Sequence, residues 1–463
     1  MTREPISRRS GPGSRPVPNR RAFLAGGAAL LAAPAGAFQR RHARSPASGF
    51  VTRERTAFRL DGRRYCYAGA NQWYGAWLGA DAPYGDRARL GRELDRLAAL
   101  GIDNLRVLAA AEDSPLRNSV KPAFRGPGPH YDETLLGGLD FLLAELGRRG
   151  MRAVLYLTNF WEWSGGMMTY LYWTNGGRYI DMNDPARPWP EFPDFVARFY
   201  GSGAAVELYR DYVRAVVGRT SRVTGRAYRD DPAIMAWQLA NEPRPAGSEA
   251  VGRPNLLAFN AWIRDTARLI KALDPNHLVS TGSEGLKGSL ESAEIVLAAH
   301  AFPEIDYLTA HVWPQNWSWV DPADIPGSWP RCETLVRDYV AQHIGFAAQL
   351  GKPLVIEEFG FPRDGVRYDP GTPTTYKDRY YRLIYDLVLA SARSGGPTAG
   401  SNFWAWNGEG RAAHEDHRFH AGDTAWLGDP PHEPQGWYGV FDSDAGTQAV
   451  VRDHAAAMRA LRV

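Results

Sequence analysis

The sequence predicts a single α/β domain, a (β/α)8 TIM barrel with long loops on the C-terminal face of its sheet. Short apolar runs alternate with segments of helical period, and we count eight such pairs after residue 60. Strands that are buried on both faces and alternate with helices form a parallel sheet, and eight such units close it into a barrel. An open doubly wound sheet fits less well, because no Gly-x-Gly-x-x-Gly motif follows the first strand and polar residues end nearly all the strands.

The strands and helices can be placed in order along the chain. The predicted strands cover 64–71, 103–108, 151–159, 234–243, 277–285, 305–314, 352–360 and 400–410. The predicted helices cover 87–100, 132–150, 206–217, 255–273, 291–300, 332–350 and 375–394, and a last helix follows 447. In the first helix Leu90, Leu94 and Leu97 share one face, and Gly101 is a stop signal. The loops at 158–203, 359–374 and 407–440 are long, so they would wall one face of the barrel into a cleft.

The first 37 residues are typical of a twin-arginine signal peptide. Arg20 and Arg21 precede a Gly/Ala-rich apolar stretch that ends in Ala35-Gly36-Ala37, an A-x-A cleavage pattern. The stretch is too short for a membrane span, which needs about 20 apolar residues. The sequence therefore predicts export of the folded protein to the periplasm or the medium, without a membrane anchor. An Arg/Ser-rich segment at 38–50 is expected to be disordered, and residues 51–463 form the barrel domain.

Charge and composition favour a neutral, flat ligand. The predicted leader carries six Arg and one Glu, so the remaining chain has a net charge near −2 although the whole chain has +3. Without a basic surface, nucleic acid is not an expected partner. The 16 Trp and 21 Tyr suit the faces of sugar rings, although a core rich in aromatic residues would explain many of them. The two cysteines, Cys66 and Cys332, lie in or beside apolar runs and are expected to stay unpaired.

Two glutamates follow apolar strands and are the candidate catalytic residues. Glu242 follows the apolar run in "IMAWQLANEP", and Glu358 follows the apolar run in "PLVIEEFG" about three βα units later. The C-terminal ends of barrel strands form the active-site face, so both side chains should enter one cleft. Retaining glycoside hydrolysis needs such a pair, one carboxyl as proton donor and one as nucleophile. Either glutamate alone would pass as an ordinary loop residue.

Further polar and aromatic residues lie at other strand ends. Arg106, late in the second strand, is costly to bury unless it pairs with a carboxylate. Asn241 adjoins Glu242, His311 ends the sixth strand, and Trp404 ends the eighth. Each of them also has an ordinary structural interpretation, as a side chain of the barrel wall or core.

The motifs "QLANEP" and "IEEFG" resemble glycoside hydrolase family 5, a family of retaining (β/α)8 enzymes. Within it, "LTNFWEWSGGMMTYLYW", "STGSEG", "HVWPQNW" and "FWAW" are most similar to endo-β-1,4-mannanases. The resemblance implies that Glu242 is the acid/base and Glu358 the nucleophile, while Glu357 points back into the barrel. It implies substrate contacts for the residues Arg106, Asn241, His311 and Trp404. Many relatives place a Tyr two residues after the His, whereas this chain has Trp313, which cannot accept a hydrogen bond.

The resemblance predicts an endo-β-1,4-mannanase that acts by double displacement on β-mannan or manno-oligosaccharides and needs no cofactor. Three alternatives stay open: an exo-β-mannosidase, if long loops close one end of the cleft; a β-1,4-glucanase; and a non-catalytic sugar-binding barrel. Trp161, Trp163, Tyr170 and Trp173 in the loop after the third strand are candidates for stacking on sugar rings, or they pack within the loop. The sequence does not indicate an oligomeric state.

One motif lies outside this account. "HEDHRFH" places His414, His417 and His420 at three-residue spacing beside two carboxylates. This pattern could bind a metal ion, but a solvated polar loop is the commoner meaning, so we assign no metal site.

Overall fold

The computed structural model describes residues 49–462. The predicted signal peptide at 1–37 and nearly all of the predicted disordered segment at 38–50 lie outside these residues. Within 49–462, no helix is both long enough and apolar enough to cross a bilayer.

Eight parallel strands form the barrel that the sequence predicts. They are β4 (Tyr67–Asn71), β5 (Asn104–Leu108), β6 (Arg152–Tyr156), β7 (Ile234–Gln238), β8 (Leu278–Ser280), β9 (Leu308–Val312), β10 (Leu354–Phe359) and β11 (Thr398–Phe403). Their order in the sheet is β8-β7-β6-β5-β4-β11-β10-β9. A parallel bridge between Ser280 and Tyr307 joins the two ends of this series and closes the barrel. All eight strands are buried along their length, which explains their near-continuous apolar sequence.

A small antiparallel sheet covers the N-terminal end of the barrel. It consists of β1 (Thr52–Glu54), β2 (Ala57–Leu60) and β3 (Arg63–Tyr65). The sequence predicts one strand over 64–71, whereas the structure divides this run at Cys66 into β3 and β4. Phe58 of the small sheet packs in a cluster with Met235 and Val355 at the start of the barrel strands. This end of the barrel is therefore filled by side chains, which leaves the opposite end for a ligand.

Helices follow the strands and surround the barrel. They are α1 (Gly75–Gly79), α2 (Arg87–Leu100), α3 (Glu133–Arg148), α4 (Gly166–Thr174), α5 (Glu191–Val196), α6 (Gly203–Val217), α7 (Glu249–Leu273), α8 (Ala293–His300), α9 (Ile325–Leu350), α10 (Thr375–Arg393) and α11 (Ala445–Arg459). A pair of short strands, β12 (Trp406–Gly408) and β13 (Val440–Phe441), ties together the ends of the long loop after β11. Cys66 and Cys332 are both free and buried.

Helices α7 and α9 begin well before their predicted starts at 255 and 332. Pro254 and Pro330 precede these predicted starts. In the structure α7 begins at Glu249 and α9 at Ile325, and both prolines lie inside the helices. The side chains of Ser248 and Asp324 cap these helices by accepting from backbone N–H groups in the first turn. The caps therefore place the helix starts about one and a half turns before the prolines.

Candidate active site

The C-terminal ends of the barrel strands open into a cleft of about 740 Å³. The predicted residues Asn241, Glu242, Glu358, Trp404 and Trp161 line it, as does Trp313. Arg106 and His311 lie beneath this lining and are wholly buried. The structure therefore brings these eight residues together at one end of the barrel, whereas two of the predicted stacking candidates, Tyr170 and Trp173, lie elsewhere.

Glu242 is held in the cleft by an unusual backbone conformation. It lies four residues beyond the end of β7 and has φ +49°, in the left-handed region that non-glycine residues seldom occupy. Its N–H donates to the carbonyl of Gly282 at 2.9 Å. A Cβ on Gly282 would lie 1.9 Å from the carbonyl oxygen of Ala240, so this close approach requires glycine. Such strain is maintained only where the surrounding structure fixes the residue, as at functional sites.

A β-bulge separates the two adjacent glutamates of β10. The register between β10 and β9 shifts between Ile356 and Glu358, and Glu358 pairs with His311. Bulges next to active sites redirect side chains. Glu357 consequently lies inside the barrel, where both of its carboxylate oxygens accept hydrogen bonds from Gln238 Nε2 at 2.7 and 2.6 Å. Glu358 faces the cleft instead.

Arg106 is the fixed cation beneath the two carboxylates. Its Nη1 donates to Glu358 Oε1, its Nη2 to Asn241 Oδ1 at 2.7 Å and its Nε to Gln238 Oε1 at 2.8 Å. Burying a guanidinium is tolerable only when its donors are satisfied in this way. Since Arg keeps its charge at any relevant pH, it stabilises the ionised form of Glu358 and orients Asn241.

His311 bridges the two catalytic candidates. Its Nδ1 lies 2.6 Å from Glu242 Oε1 and 3.3 Å from Glu358 Oε2. One ring nitrogen of His311 and one carboxylate oxygen of each glutamate all lie within 4.8 Å of one another. Burial disfavours the imidazolium, but Glu358 and Glu242 outweigh it and raise the pKa of His311 to about 10. His311 therefore carries a proton that it shares with Glu242.

The pKa values of the two glutamates shift in opposite directions. Burial raises the pKa of the Glu242 carboxyl, but the hydrogen bond and charge of His311 outweigh it, so that this pKa lies below its ordinary value. Burial raises the pKa of Glu358 to about 7, and the charges of His311 and Arg106 oppose that shift. In the free protein Glu242 is consequently anionic, and its proton partner is His311.

One half of the cleft extends outward from Glu242. The indole Nε1 of Trp161 donates to Glu242 Oε2 at 2.5 Å. The guanidinium of Arg244 lies over the rings of Trp161 and Trp189, at 4.9 and 5.7 Å from their centroids. Arg244 also donates from Nε to Glu284 Oε2 at 2.9 Å. This half, which we call the leaving-group side, combines aromatic faces with charged groups.

The other half is formed by the long loop after β11. His432 stacks on Trp163 with ring centroids 6.3 Å apart. Glu433 is half-buried beside it, and its Oε2, which is itself buried, accepts no hydrogen bond from residues 49–462. Trp404 Nε1 lies close enough to Glu433 to lower the pKa of this carboxyl, but it makes no hydrogen bond of good geometry. We call this half the closed end.

Burial disfavours the charged forms of the polar groups at the closed end. Burial lowers the pKa of His432 to about 4. Burial, with Asp429 and Glu358 nearby, raises the pKa of Glu433 well above its ordinary value. His432 Nδ1 is also without a hydrogen-bond partner in the described part of the chain. Buried polar atoms are rarely left unpaired, so these atoms are suited to the hydroxyl groups of a bound ligand.

The other aromatic and histidine candidates have different positions. Trp161 and Trp163 line the cleft, whereas Tyr170 and Trp173 pack against Arg125 away from it. The rings of His414 and His420 stack 3.9 Å apart, and His414 Nε2 lies 3.0 Å from both oxygens of Asp423. His417 lies apart from them, with Nδ1 3.0 Å from the carbonyl of Gln435. The three imidazoles therefore do not point to one centre.

Trp313 takes the position where many relatives have Tyr, and nothing in residues 49–462 replaces that hydroxyl at the nucleophile. The Trp313 ring packs against Trp404 and Tyr438, at 6.0 and 5.0 Å. The hydroxyl of Tyr438 donates to Asn316 Oδ1. Glu358 therefore relies on Arg106 and His311.

Sequence reasoning missed several residues that line the cleft, among them Glu284, Arg244, His432 and Glu433. Glu284 follows β8 in "STGSEG", so the strand-end rule could have identified it. Arg244 follows Glu242 by two positions, and its role is visible only from its contacts. His432 and Glu433 lie about 30 residues into a loop, where neither spacing nor periodicity indicates a site.

Comparisons with known proteins agree with this geometry. The family model described as "GH family 5 beta-mannosidase-like" matches residues 48–462. Mannan endo-1,4-beta-mannosidase 1 of Oryza sativa subsp. japonica is 32% identical over 372 residues, which are 77% of this chain and 78% of that protein.

Solved structures of a glycoside hydrolase family 5 mannosidase from Rhizomucor miehei are also similar. One is 37% identical with a TM-score of 0.81, and the match covers 89% of this chain and 98% of that one. A variant of that enzyme in complex with mannosyl-fructose is 36% identical with a TM-score of 0.80, and the match covers 89% of this chain and 98% of that one.

Proposed function

The chain belongs to glycoside hydrolase family 5, and on that premise we propose that it cleaves β-1,4-mannosidic bonds of mannan-type substrates with net retention of anomeric configuration. The observation that carries this proposal is the pair of strand-end glutamates whose oxygens approach within 4.8 Å in one cleft. Retaining glycosidases hold their two carboxyl groups about 5–5.5 Å apart, whereas inverting enzymes leave room for a water between them.

The two glutamates act in two steps. Glu358 attacks the anomeric carbon while Glu242 protonates the departing glycosidic oxygen, so that the glycosidic bond breaks and a mannosyl-enzyme ester forms. Glu242, now a carboxylate, then removes a proton from water, and the water oxygen displaces Glu358 from the anomeric carbon. Arg106 stabilises the carboxylate of Glu358 before and after the covalent stage.

The first step requires Glu242 to be protonated and Glu358 to be ionised. In the free protein the proton lies on His311, 2.6 Å from Glu242 Oε1. A bound sugar excludes water from the cleft, and this loss of solvation disfavours the charged pair of His311 and Glu242 relative to the neutral pair. The proton then moves along the existing contact to Glu242. His311 thus supplies the acid's proton in this proposal.

Endo cleavage of mannan is the first candidate for the mode of attack. The rice relative bears the name of an endo-acting enzyme and matches most of the barrel. The cleft is also long, because it continues from Glu242 past Trp161 to the exposed ring of Trp189. An internal segment of a polysaccharide could occupy this leaving-group side.

Exo cleavage is a second candidate, and the closed end favours it. Glu433 and His432 line the cleft with Trp404, and both carry buried polar atoms without partners among the described residues. These groups would bind the hydroxyls of a terminal mannosyl unit and block a longer chain. The similar fungal structures bear the name mannosidase.

A product time course tests these proposals. Wild type, Glu242→Gln and Glu358→Gln are incubated with β-1,4-mannan, mannohexaose and cellohexaose, with Glu333→Gln on α9, outside the cleft, as the matched control. We expect Glu242→Gln to lower kcat/KM by about 10²–10⁴, Glu358→Gln to be inactive and the control to equal wild type. Mixed oligosaccharides indicate endo cleavage, and mannose alone indicates exo cleavage.

The anomer of the first product, followed by NMR, tests retention separately. A β-anomer that forms first supports double displacement, whereas an initial α-anomer would overturn it. Full activity of either glutamine variant would refute the assigned roles, and cleavage of cellohexaose in place of mannohexaose would refute the substrate.

We also propose that the predicted leader exports the enzyme by the twin-arginine route, because Arg20 and Arg21 precede an apolar stretch and a cleavage pattern. Cell fractionation of wild type and of an Arg20→Lys, Arg21→Lys variant tests this proposal. Retention of only the variant in the cytoplasm supports it, and equal distribution contradicts it.

A further inference from the structure

The residues of the closed end are carried by a compact loop with its own hydrogen-bond network. We call residues 429–439 the end loop; it includes His432 and Glu433. The loop contains no strand or helix, so periodic backbone pairing does not explain how Glu433 stays in place. Its conformation must come from side-chain contacts to the backbone.

Asp429 organises the end loop from its first position. Its Oδ1 accepts from the N–H groups of Tyr438 and Gly439 at 2.6 and 3.0 Å. Its Oδ2 accepts from the N–H of Gly436 at 2.9 Å and from Asn407 Nδ2 at 3.1 Å. The buried carboxylate of the first loop residue is therefore hydrogen-bonded to the backbone of three of the last four loop residues.

Gln435 fills the interior of the same loop. Its Nε2 lies 3.0 Å from the carbonyl oxygen of Asp429, 3.2 Å from that of Pro430 and 3.1 Å from that of Glu433. This amide group holds the backbone of Glu433 directly. Asp429 and Gln435 are both buried, and neither lines the cleft.

The end loop is also attached to the barrel on both sides. Lys377 Nζ on α10 donates to the carbonyl oxygens of Tyr438 and Gly439 at 2.6 and 2.8 Å. The Tyr438 hydroxyl reaches Asn316 in the loop after β9. These contacts fix the end loop to α10 and to the loop after β9.

We propose that Asp429 and Gln435 are positioning residues that fix Glu433 and His432 at the closed end and thereby determine how much of a sugar chain fits beyond the cleavage point. This inference rests on the proposed function and deepens it, since it assigns product length to residues that do not touch the substrate. If the hydrogen bonds of Asp429 and Gln435 are removed, the end loop opens. The terminal sugar then loses its polar contacts, and longer chains can extend through the cleft.

Asp429→Asn is the first test. The amide keeps the shape of the side chain, but its NH2 group faces N–H donors in place of one acceptor oxygen. With mannotriose we expect KM to rise about tenfold while kcat changes less than threefold, because the chemistry at Glu242 and Glu358 is intact. With mannohexaose we expect mannobiose and mannotriose to appear early, as in a Glu433→Ala variant measured in parallel.

Gln435→Ala provides a second variant in case Asp429→Asn does not fold, and it should change the products in the same direction. Asp423→Asn is the matched control, because Asp423 lies in the same long loop but contacts His414 and His420 outside the end loop. Thermal unfolding confirms that each variant is folded.

The outcomes separate the two proposals. Folded Asp429→Asn and Gln435→Ala with wild-type product lengths and KM would overturn this inference. Wild type that releases mixed oligosaccharides from the start would also overturn it, while leaving the proposed hydrolysis of mannosides intact. Wild type that cleaves no β-mannoside at all would refute the proposed function itself.

Discussion

The indole N–H of Trp161 offers a direct test of how the acidity of Glu242 is set. Glu242 accepts two side-chain hydrogen bonds, from His311 Nδ1 at 2.6 Å and from Trp161 Nε1 at 2.5 Å. Trp161→Phe removes the second donor and keeps an aromatic face beneath Arg244. Both donors stabilise the anion, so the loss of one must raise the pKa of Glu242.

The size of the shift follows from the strength of the lost bond. A hydrogen bond to a charged group contributes about 1.5–3 kcal/mol, which corresponds to about 1–2 pKa units. Because water can enter the space of the indole and donate in its place, we expect a shift near the lower limit, of about one unit.

The pH dependence of the single-turnover rate of mannosyl-enzyme formation is the assay. In the complex with substrate the proton lies on Glu242, which must deliver it in this step, so loss of that proton sets the alkaline limb. A higher pKa of Glu242 in Trp161→Phe moves this alkaline limb to higher pH by about one unit. Trp173→Phe is the control, since Trp173 lies on α4 in the same long loop and packs against Arg125.

An unchanged alkaline limb in folded Trp161→Phe would refute the reasoning, because it would mean that the indole does not stabilise the ionised acid. A shift to lower pH would refute even its sign. An equal shift in Trp173→Phe would show that the effect is not specific to the contact with Glu242.

Three further predictions concern the supporting structure. Arg106→Lys keeps the positive charge but loses the planar guanidinium group that donates to both Glu358 and Asn241. We therefore expect kcat/KM to fall at least a hundredfold, an effect of about 3 kcal/mol, and wild-type kinetics would contradict this. Gly282→Ala should lower the free energy of unfolding by more than 2 kcal/mol, because its Cβ meets a carbonyl oxygen and φ is +75°; Gly345→Ala, with open space around it, is the control in urea unfolding. Burial lowers the pKa of His300 to about 4, below the unfolded value of about 6.5, so the stability it contributes is present above pH 6.5 and is lost as the pH falls towards 4. His300→Gln should therefore reduce the loss of unfolding free energy between pH 7.5 and 5 by about 2 kcal/mol, and an identical loss in both proteins would contradict this.

Local patterns in the sequence predict the barrel and the two glutamates. The barrel strands are buried on both faces, so each of them is a short apolar run, and the position of Glu242 or Glu358 after such a run places it at the C-terminal end of a strand. Helices α7 and α9 begin earlier than predicted, because the Ser248 and Asp324 caps start each helix before Pro254 and Pro330.

Other parts of the site depend on contacts between distant residues. The bulge between Glu357 and Glu358 arises from pairing with β9. The burial pattern of "VIEEFG" does not indicate which glutamate faces the cleft, and only the resemblance of this motif to the family predicted Glu358. The pairing of Arg244 with Glu284 joins residues 40 positions apart. The sequence places both residues after strands, but only the fold brings them to the same side of Glu242.

The sequence by itself determined the barrel, the order of its strands and the two carboxylates at their ends, because these depend on burial pattern and on motifs of a few residues. Only the tertiary structure decided which polar groups close one end of the cleft. Glu433 reaches the cleft because the Asp429 carboxylate accepts hydrogen bonds from the backbone N–H groups of Gly436, Tyr438 and Gly439. The Tyr438 hydroxyl also donates to Asn316, 122 positions earlier in the chain. In a loop without periodic structure, such long-range hydrogen bonds fix the position of a side chain, and they leave no regular pattern in the sequence.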